Sequence, residues 1–202
     1  FKGAGGPLLR PLETAERILG PKGMRSRGQF LPNVPAFPVQ EALPALATWL
    51  DSEGPKDVLA IGPLTNLALA YRSFPEKLRC LGTLTWMGAS RARGNHTEHA
   101  EYNAFADADA LATVLQHDAP LRIVDLELCR QVTFGQADMP ILEDRLLADL
   151  LGGYLDIALS RGREQMAIYD PIAALAVVQP ALIQFERVNL SVHTENGARY
   201  GK

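Results

Sequence analysis

The chain has 202 residues, of which 47% are hydrophobic and 21% are charged, and this is the composition of an ordinary globular domain. It excludes a disordered or fibrous protein. The formal net charge of only −3, without long blocks of one sign, disfavours a nucleic acid or an anionic membrane as partner and suits a small neutral ligand better.

The first predicted elements are an irregular segment, a helix and a strand. Residues 1–34 hold many of the glycines and prolines, which is typical of an irregular surface segment. Apolar residues then recur at helical spacing over residues 39–50, and Pro44 indicates that the regular helix begins near it. Residues 57–61 are predicted to form a buried strand, and the turn Gly62-Pro63 leads from it into a second helix.

The middle of the chain repeats this alternation. Residues 81–87 form the next predicted strand, and a long polar loop, residues 88–106, follows it. Asp107 is expected to cap the following helix, because its carboxylate can accept from free N–H groups of the first turn. Residues 121–126 form the third predicted strand.

The remaining elements complete the predicted fold. A long amphipathic helix is predicted over residues 140–160, a short helix beginning at Pro171, and a half-solvated strand over residues 186–194. Repeated strand–helix units predict an α/β fold, a mostly parallel Rossmann-like sheet with flanking helices. We expect one partial domain spanning residues 1–202, incomplete at both ends, since the chain starts at Phe1 without an initiator Met and stops just after a turn.

Polar residues cluster where such a sheet binds ligands, beyond the carboxyl ends of its strands. This rule selects the turn after Ile61 and the loop after Met87, where residues 94–103 are rich in amide and carboxylate side chains. Such groups can satisfy sugar hydroxyls, which both donate and accept; the alternative is a solvated loop with turn-stabilising side chains. His96 and His99 lack a third ligand pattern and are expected to face solvent rather than bind a metal.

Asp170 lies between Tyr169 and the helix-starting Pro171. An Asp at this place is commonly a helix cap, and a role as metal ligand is the alternative. Its immediate surroundings leave both open.

Five segments in register resemble nucleoside hydrolases of the inosine-uridine-preferring type, and the resemblance runs essentially from Phe1 to Lys202. They are Ala60-Ile61-Gly62-Pro63-Leu64-Thr65-Asn66-Leu67-Ala68, Trp86-Met87-Gly88, Gly94-Asn95-His96-Thr97, Ala100-Glu101-Tyr102-Asn103 and Tyr169-Asp170-Pro171. The resemblance implies hydrolysis of the N-glycosidic bond of ribonucleosides to ribose and free base, with calcium-bound water as the nucleophile.

The resemblance also implies a set of site residues. Calcium would be bound by the backbone carbonyl of Ile61, by Asp170 and by aspartates of an N-terminal D-x-D-x-x-x-D-D motif. Calcium, a hard cation with several oxygen ligands, would orient the ribose diol and the water together. The implied substrate-binding residues are Met87, Asn95, Glu101, Asn103 and Asp170.

The chain departs from the family pattern in two ways. The acidic motif is absent, so the general base is expected upstream of Phe1, and the 202 residues alone are expected to be inactive. Tyr169 stands where many members carry a His that protonates the leaving base, and Leu19 lies near where some have another His. Tyr169 is a candidate acid, although a phenol with an ordinary pKa of about 10 is a poor one near neutrality, which leaves purine or pyrimidine preference open.

We expect a nucleoside as the small-molecule partner, no nucleic acid, no membrane, and a homodimer or homotetramer as the family's habit suggests. The apolar runs are too short to span a bilayer, and Cys80 and Cys129 lack C-x-x-C spacing, so a reducing cytoplasm is the expected location. The runner-up reading is a truncated or degenerate homologue that is catalytically inactive and acts as a binding or interaction protein. A dinucleotide-dependent oxidoreductase ranks last, because no G-x-G-x-x-G fingerprint is present.

Overall fold

The computed structural model of the protein describes residues 1–21, 26–29, 31 and 38–202. The helices of these residues are α1 (Glu16–Leu19), α2 (Ala42–Asp51), α3 (Thr65–Ser73), α4 (Tyr102–Ala106), α5 (Ala108–Leu115), α6 (Leu126–Cys129), α7 (Arg145–Leu159) and α8 (Asp170–Val178). The strands are β1 (Asp57–Ala60), β2 (Thr83–Met87), β3 (Leu121–Val124), β4 (Thr133–Gly135) and β5 (Gln165–Ala167). Short 3₁₀ turns occur at Lys77–Cys80, Gln136–Asp138 and Pro180–Leu182.

The chain divides into two compact units. The first comprises Phe1–Leu12, Pro38–Leu128 and Tyr169–Lys202, and the second comprises Glu13–Phe37 and Cys129–Ile168. The prediction of one partial domain over residues 1–202 stays a prediction.

The first unit is built on a parallel sheet in the order β1-β2-β3. Ala60 lies opposite Trp86, and Met87 lies opposite Val124, so the three strands end at one edge. The helix α8 packs across all three strands, and α3 packs against α2 and α5. The predicted α/β class with a parallel sheet and flanking helices is confirmed.

Period-two alternation in β2 places the core. Leu84 and Trp86 are fully buried and join an apolar cluster with residues of α3 and α5. The indole N–H of Trp86 donates to the Gly62 carbonyl at 3.0 Å, which ties the turn after β1 to the centre of the sheet. Thr85 and Met87 point to the opposite face of the strand.

Asp107 caps α5, as predicted. Its carboxylate accepts from the N–H of Ala110 at 3.0 Å, from the N–H of Leu8 at 2.9 Å and from the hydroxyl of Thr65 at 2.7 Å, and its side chain is buried. One buried carboxylate therefore joins the N-terminal segment, α3 and α5.

The predicted strand over residues 186–194 is wrong, because the structure shows no strand there. Period-two alternation alone does not supply a partner strand, and the end of the chain packs on helices instead. The Tyr200 hydroxyl lies 3.2 Å from the Ala108 N–H and donates to Asp109 at 2.9 Å. A Cβ added to Gly201, whose φ is +77°, would lie 2.6 Å from the Phe105 Cα.

The second unit contains a two-stranded antiparallel sheet of β4 and β5, against which α7 packs. The predicted helix over residues 140–160 begins later, at Arg145, because Asp144 accepts from two first-turn N–H groups at 2.8 and 3.1 Å. Helix α7 continues through Gly152, where an added Cβ would lie 2.8 Å from the Arg27 side chain. Arg27 forms a bidentate ion pair with Asp156 across this glycine, at 2.7 and 2.9 Å.

The predicted irregular segment, residues 1–34, falls partly outside the described residues, at 22–25, 30 and 32–34. Its described part is irregular apart from α1. No helix in the described part of the chain is long and apolar enough to cross a lipid bilayer.

Candidate active site

Met87 and Asn103 are brought together at the end of β2. Met87 is the last residue of the strand, and Asn103 lies in the first turn of α4. The Asn103 amide Nδ2 donates to the Met87 carbonyl at 2.9 Å and lies 3.6 Å from the Met87 sulfur. Both side chains are buried, and the carboxyl end of the strand thereby fixes the amide.

Glu101 is the N-cap of α4 and is 2% exposed. Its Oε2 accepts from the N–H of Ala104 at 2.9 Å and from the N–H of Ala89 at 3.1 Å, and the Asn103 N–H also donates to the carboxylate. Burial raises the pKa of Glu101 to about 7. The three N–H groups oppose this shift by lowering the pKa, and the charge of Asp170 raises it slightly further. The carboxyl group therefore changes charge near neutral pH.

Asn95 lies in the loop between β2 and α4 and is exposed. Its Oδ1 accepts from the N–H of Tyr102 at 2.9 Å. Thr97 closes the same loop, since its hydroxyl accepts from the Ala100 N–H at 2.9 Å. A Cβ at Gly94 would lie 2.1 Å from the Ala100 carbonyl, so only glycine fits where the loop closes on itself.

The two amides are oriented by backbone partners that allow only one assignment of oxygen and nitrogen. Asn95 uses its oxygen for Tyr102, which leaves its Nδ2 as a donor. Asn103 uses its nitrogen for Met87, which leaves its Oδ1 as an acceptor. The site thus offers a donor and an acceptor, the pair that a hydroxyl requires.

Asp170 is the first residue of α8, and its N-cap is Tyr169, without a side-chain cap hydrogen bond. The structure therefore does not support the interpretation of Asp170 as a helix cap. Asp170 is exposed at the surface, yet desolvation of its carboxyl group raises its pKa, and its charge acts on Glu101. Tyr169 is partly buried, and its carbonyl accepts from the Ile172 N–H at 2.9 Å.

Ile61 is the first residue after β1 and is 51% exposed. Since β1 pairs in parallel with β2 and Ala60 lies opposite Trp86, Ile61 follows β1 at the same edge of the sheet at which Met87 ends β2.

Oxygen donors of the described residues fit calcium in kind but not in number. The Ile61 carbonyl and the Asp170 carboxylate are hard donors, whereas calcium takes about six to eight oxygens. No group of three or more His, Cys, Asp or Glu within the described ranges can hold a metal ion. These two donors can therefore form only part of a calcium site.

Three contributors to the site were not predicted. Glu127, in α6, accepts from the Arg91 N–H at 2.8 Å and lies 2.9 Å from the Ser90 hydroxyl, and Asp125 pairs with the Arg91 side chain at 2.9 Å. Ala89 adopts a φ of +67°. Asp125 and Glu127 follow β3 directly, so the rule that selected Ile61 and Met87 also points to them.

His96 is not solvent-facing as expected. Its ring is partly buried and packs against Phe105, with ring centroids 4.4 Å apart, and edge-on to Tyr102 at 5.4 Å. The His96 ring therefore packs the loop against α4, and the expected exposure of His96 to solvent is wrong.

Solved structures share this fold. A purine-preferring ribonucleoside hydrolase from Gardnerella vaginalis superposes with a TM-score of 0.85 at 22% identity, over 98% of this chain and 67% of its own. An inosine-guanosine nucleoside hydrolase superposes with a TM-score of 0.84 at 24% identity, over 100% of this chain and 68% of its own. At these identities the likeness shows the fold alone.

Sequence comparison carries the assignment further. The non-specific ribonucleoside hydrolases RihC of Salmonella agona and Salmonella newport are each 29% identical over 205 residues, covering 96% of this chain. The chain spans 64% of the length of these relatives. The family model for inosine-uridine preferring nucleoside hydrolase matches residues 1–202. The chain therefore belongs to the inosine-uridine preferring nucleoside hydrolase family.

Proposed function

We propose that the protein containing this chain hydrolyses the N-glycosidic bond of ribonucleosides, releasing ribose and the free base. The observation that carries the proposal is the orientation of two amides, which leaves the Nδ2 of Asn95 as a donor and the Oδ1 of Asn103 as an acceptor, two residues from the buried carboxyl group of Glu101. A donor, an acceptor and a carboxyl group are the kinds of partner that ribose hydroxyls require.

Each of these groups has a defined task in the proposal. Asn95 donates to one ribose hydroxyl, Asn103 accepts from another, and Glu101 hydrogen-bonds a third polar group of the sugar. Met87 lines the sugar site, and because it is buried at the strand end it excludes water from that side. Holding the sugar in one orientation lowers the entropic cost of reaching the oxocarbenium-like transition state.

Calcium is part of the proposal, with Asp170 and the Ile61 carbonyl as two of its ligands. When bound there, calcium would supply a Lewis acid for activating the attacking water. Asp170 also contacts the substrate in this scheme. The remaining ligands and the general base are expected in residues other than these 202, and Tyr169 is the candidate acid for the leaving base.

We also propose a cytoplasmic homodimer or homotetramer. Neither of the described cysteines, Cys80 and Cys129, forms a disulfide, which suits a reducing compartment. Light scattering on the purified protein tests the assembly, and a monomer at micromolar concentration would contradict it.

The test is base release from inosine, uridine, adenosine, cytidine and guanosine, with and without a calcium chelator. The enzyme is expressed from its complete reading frame, beside the 202-residue chain. We expect chelator-sensitive hydrolysis by the complete protein and none by the 202-residue chain. A folded complete protein that releases no base would refute the proposal and leave the inactive binding homologue as the better account.

Matched variants then assign the site. Asn95→Ala removes the proposed sugar donor and should lower kcat/KM about tenfold, the effect of losing one hydrogen bond of about 1.4 kcal/mol. Asn189→Ala is the control, because Asn189 is also an exposed asparagine of the first unit but lies in the segment after α8. Equal activity of the two variants would remove Asn95 from the site.

A further inference from the structure

The segment Ala89–Ala92 connects the end of β2 to the loop that contains Asn95. Its first residue has a backbone conformation that alanine disfavours. Ala89 has a φ of +67°, in the left-handed region where a Cβ crowds the following carbonyl. Alanine rarely adopts this conformation without help from its surroundings. The conformation of this segment must therefore be maintained by contacts with other parts of the unit.

The Leu126 N–H donates to the Ala89 carbonyl at 3.2 Å, and further contacts come from two glutamates. Glu101 accepts from the Ala89 N–H at 3.1 Å. Glu127 accepts from the Arg91 N–H at 2.8 Å and from the Ala92 N–H, and its other oxygen lies 2.9 Å from the Ser90 hydroxyl. Donor groups of four successive residues, 89–92, thus lie within hydrogen-bond distance of two carboxylates, and the Ser90 hydroxyl also lies 2.9 Å from the Arg93 carbonyl.

The carboxylate of Glu127 is well satisfied by these donors. Partial burial would raise the pKa of Glu127, but the N–H groups of Arg91 and Ala92 and the Ser90 hydroxyl together lower the pKa below its ordinary value. The group therefore stays ionised at neutral pH, as an acceptor without a competing proton. A carboxylate bound by several N–H groups is a strong, directional contact.

The side chain of Arg91 provides a contrast within the same segment. It pairs with Asp125 at 2.9 Å and also with Glu186, but Arg91 and Glu186 are 63% and 69% exposed. Ion pairs at such exposure contribute little. The backbone contacts of Glu127 therefore contribute more to holding residues 90–92 than the exposed pairing of Arg91 with Glu186 does.

We infer that Glu127 is a positioning residue of the candidate active site, which holds Ala89–Ala92 so that the Ala89 N–H meets Glu101. Without Glu127 the segment can relax toward a common backbone conformation, and Ala89 withdraws from the Glu101 carboxylate. Glu101 then keeps its contacts with α4 but loses the one donor that fixes it against β2. The catalytic part of this inference rests on the proposed function, and its structural part does not.

The test compares three variants of the complete protein. Glu127→Gln keeps the side-chain shape but turns an NH2 group toward backbone donors, whereas Glu127→Asp keeps the carboxylate. Glu186→Gln makes the same charge change on an exposed partner of Arg91. We expect Glu127→Gln to raise KM for the nucleoside about tenfold with kcat within about twofold, as loss of uniform sugar binding requires. Glu127→Asp should recover much of this loss, and Glu186→Gln should match the parent.

A merely structural role of Glu127 gives a different result. Loss of folded protein lowers the apparent kcat and leaves KM unchanged, and that outcome would overturn the inference. An equal rise of KM in Glu186→Gln would also overturn it, since charge alone would then be responsible.

Amide hydrogen exchange separates this inference from the proposed function. The Ala89, Arg91 and Ala92 amides should exchange at least tenfold faster in Glu127→Gln than in Glu186→Gln, while the amides of β2 stay protected. If the parent protein releases no base, the proposed function fails, and the exchange rates alone decide the positioning role. Unchanged exchange in Glu127→Gln would refute it.

Discussion

Replacing Gly201 with Ala tests whether the end of the chain supports α4, the helix that carries Asn103. Gly201 has a φ of +77°, and an ideal Cβ would lie 2.6 Å from the Phe105 Cα, 2.9 Å from the Phe105 N and 3.0 Å from the Ala104 carbonyl oxygen. All three atoms belong to the α4 backbone, which cannot rotate aside as the end of a side chain can. Either α4 or the tail has to move.

Two costs add in this variant. A left-handed alanine costs about 1 kcal/mol, and forcing an extra methyl group into a packed site costs about 2 kcal/mol more. We therefore expect Gly201→Ala to lower the free energy of unfolding by about 3 kcal/mol. Displacement of α4 should also weaken any sugar contact that Asn103 makes.

Gly54→Ala is the matched control. Gly54 lies in the same unit with a φ of +94°, and nothing lies within 4 Å of its added Cβ, so it carries the backbone strain without the collision. It should lose only about 1 kcal/mol. Both tryptophans, Trp49 and Trp86, belong to the first unit, so tryptophan fluorescence during urea unfolding reports that unit. Equal losses in the two variants would show that Gly201 does not pack on α4.

Three further predictions concern buried polar groups of the first unit and use the same unfolding assay. Because the pKa of Glu101 is raised from 4.5 to about 7, the unfolded chain releases this proton before the folded one does, so the free energy of unfolding should fall as pH rises from about 4.5 to 7. Over that range the loss is on the order of 3 kcal/mol; Glu101→Gln should remove the slope, and an unchanged slope would mean that the carboxyl titrates normally. Asp107→Asn should cost about 3 kcal/mol, since an amide cannot accept from all three donors of that buried carboxylate, and a loss below about 1 kcal/mol would contradict the shared cap. Tyr200→Phe should cost about 1 kcal/mol by breaking the bond to Asp109, and because the pKa of Tyr200 is raised to about 12, the parent alone should lose stability as pH rises from 10 to 12.

The sheet could be predicted because its strands are short apolar runs that follow one another with helices between them. The strands predicted over residues 57–61, 81–87 and 121–126 agree with β1, β2 and β3 to within two residues at each end. The cap at Asp107 was also predictable, since its donor Ala110 lies only three residues away. Local chemistry sufficed for these elements.

Contacts between distant parts of the chain could not be predicted in this way. Glu127 meets Arg91 across 36 residues, and Gly201 meets Phe105 across nearly half the chain. Nothing in the neighbours of either residue indicates its partner. The strand predicted over residues 186–194 failed for a related reason, because alternation describes one strand and a ladder needs two.

The orientations of Asn95 and Asn103 could be predicted only in part from the sequence. Their presence near a strand end indicated a polar site, and the resemblance to a family indicated the sugar. Only the backbone partners, Tyr102 for one and Met87 for the other, show which amide donates and which accepts. Whether these side chains contact a nucleoside stays a prediction.

Glu101 caps α4 and is also proposed to contact the sugar. These two roles constrain how the protein can be re-engineered. A substitution there that retunes sugar recognition also removes the cap of a five-residue helix that has few other means of staying folded. Asn95 contributes less to the fold, since it is exposed and its side chain accepts a hydrogen bond from one backbone N–H, that of Tyr102. A library that seeks activity on altered sugars should therefore diversify Asn95 and leave Glu101 untouched.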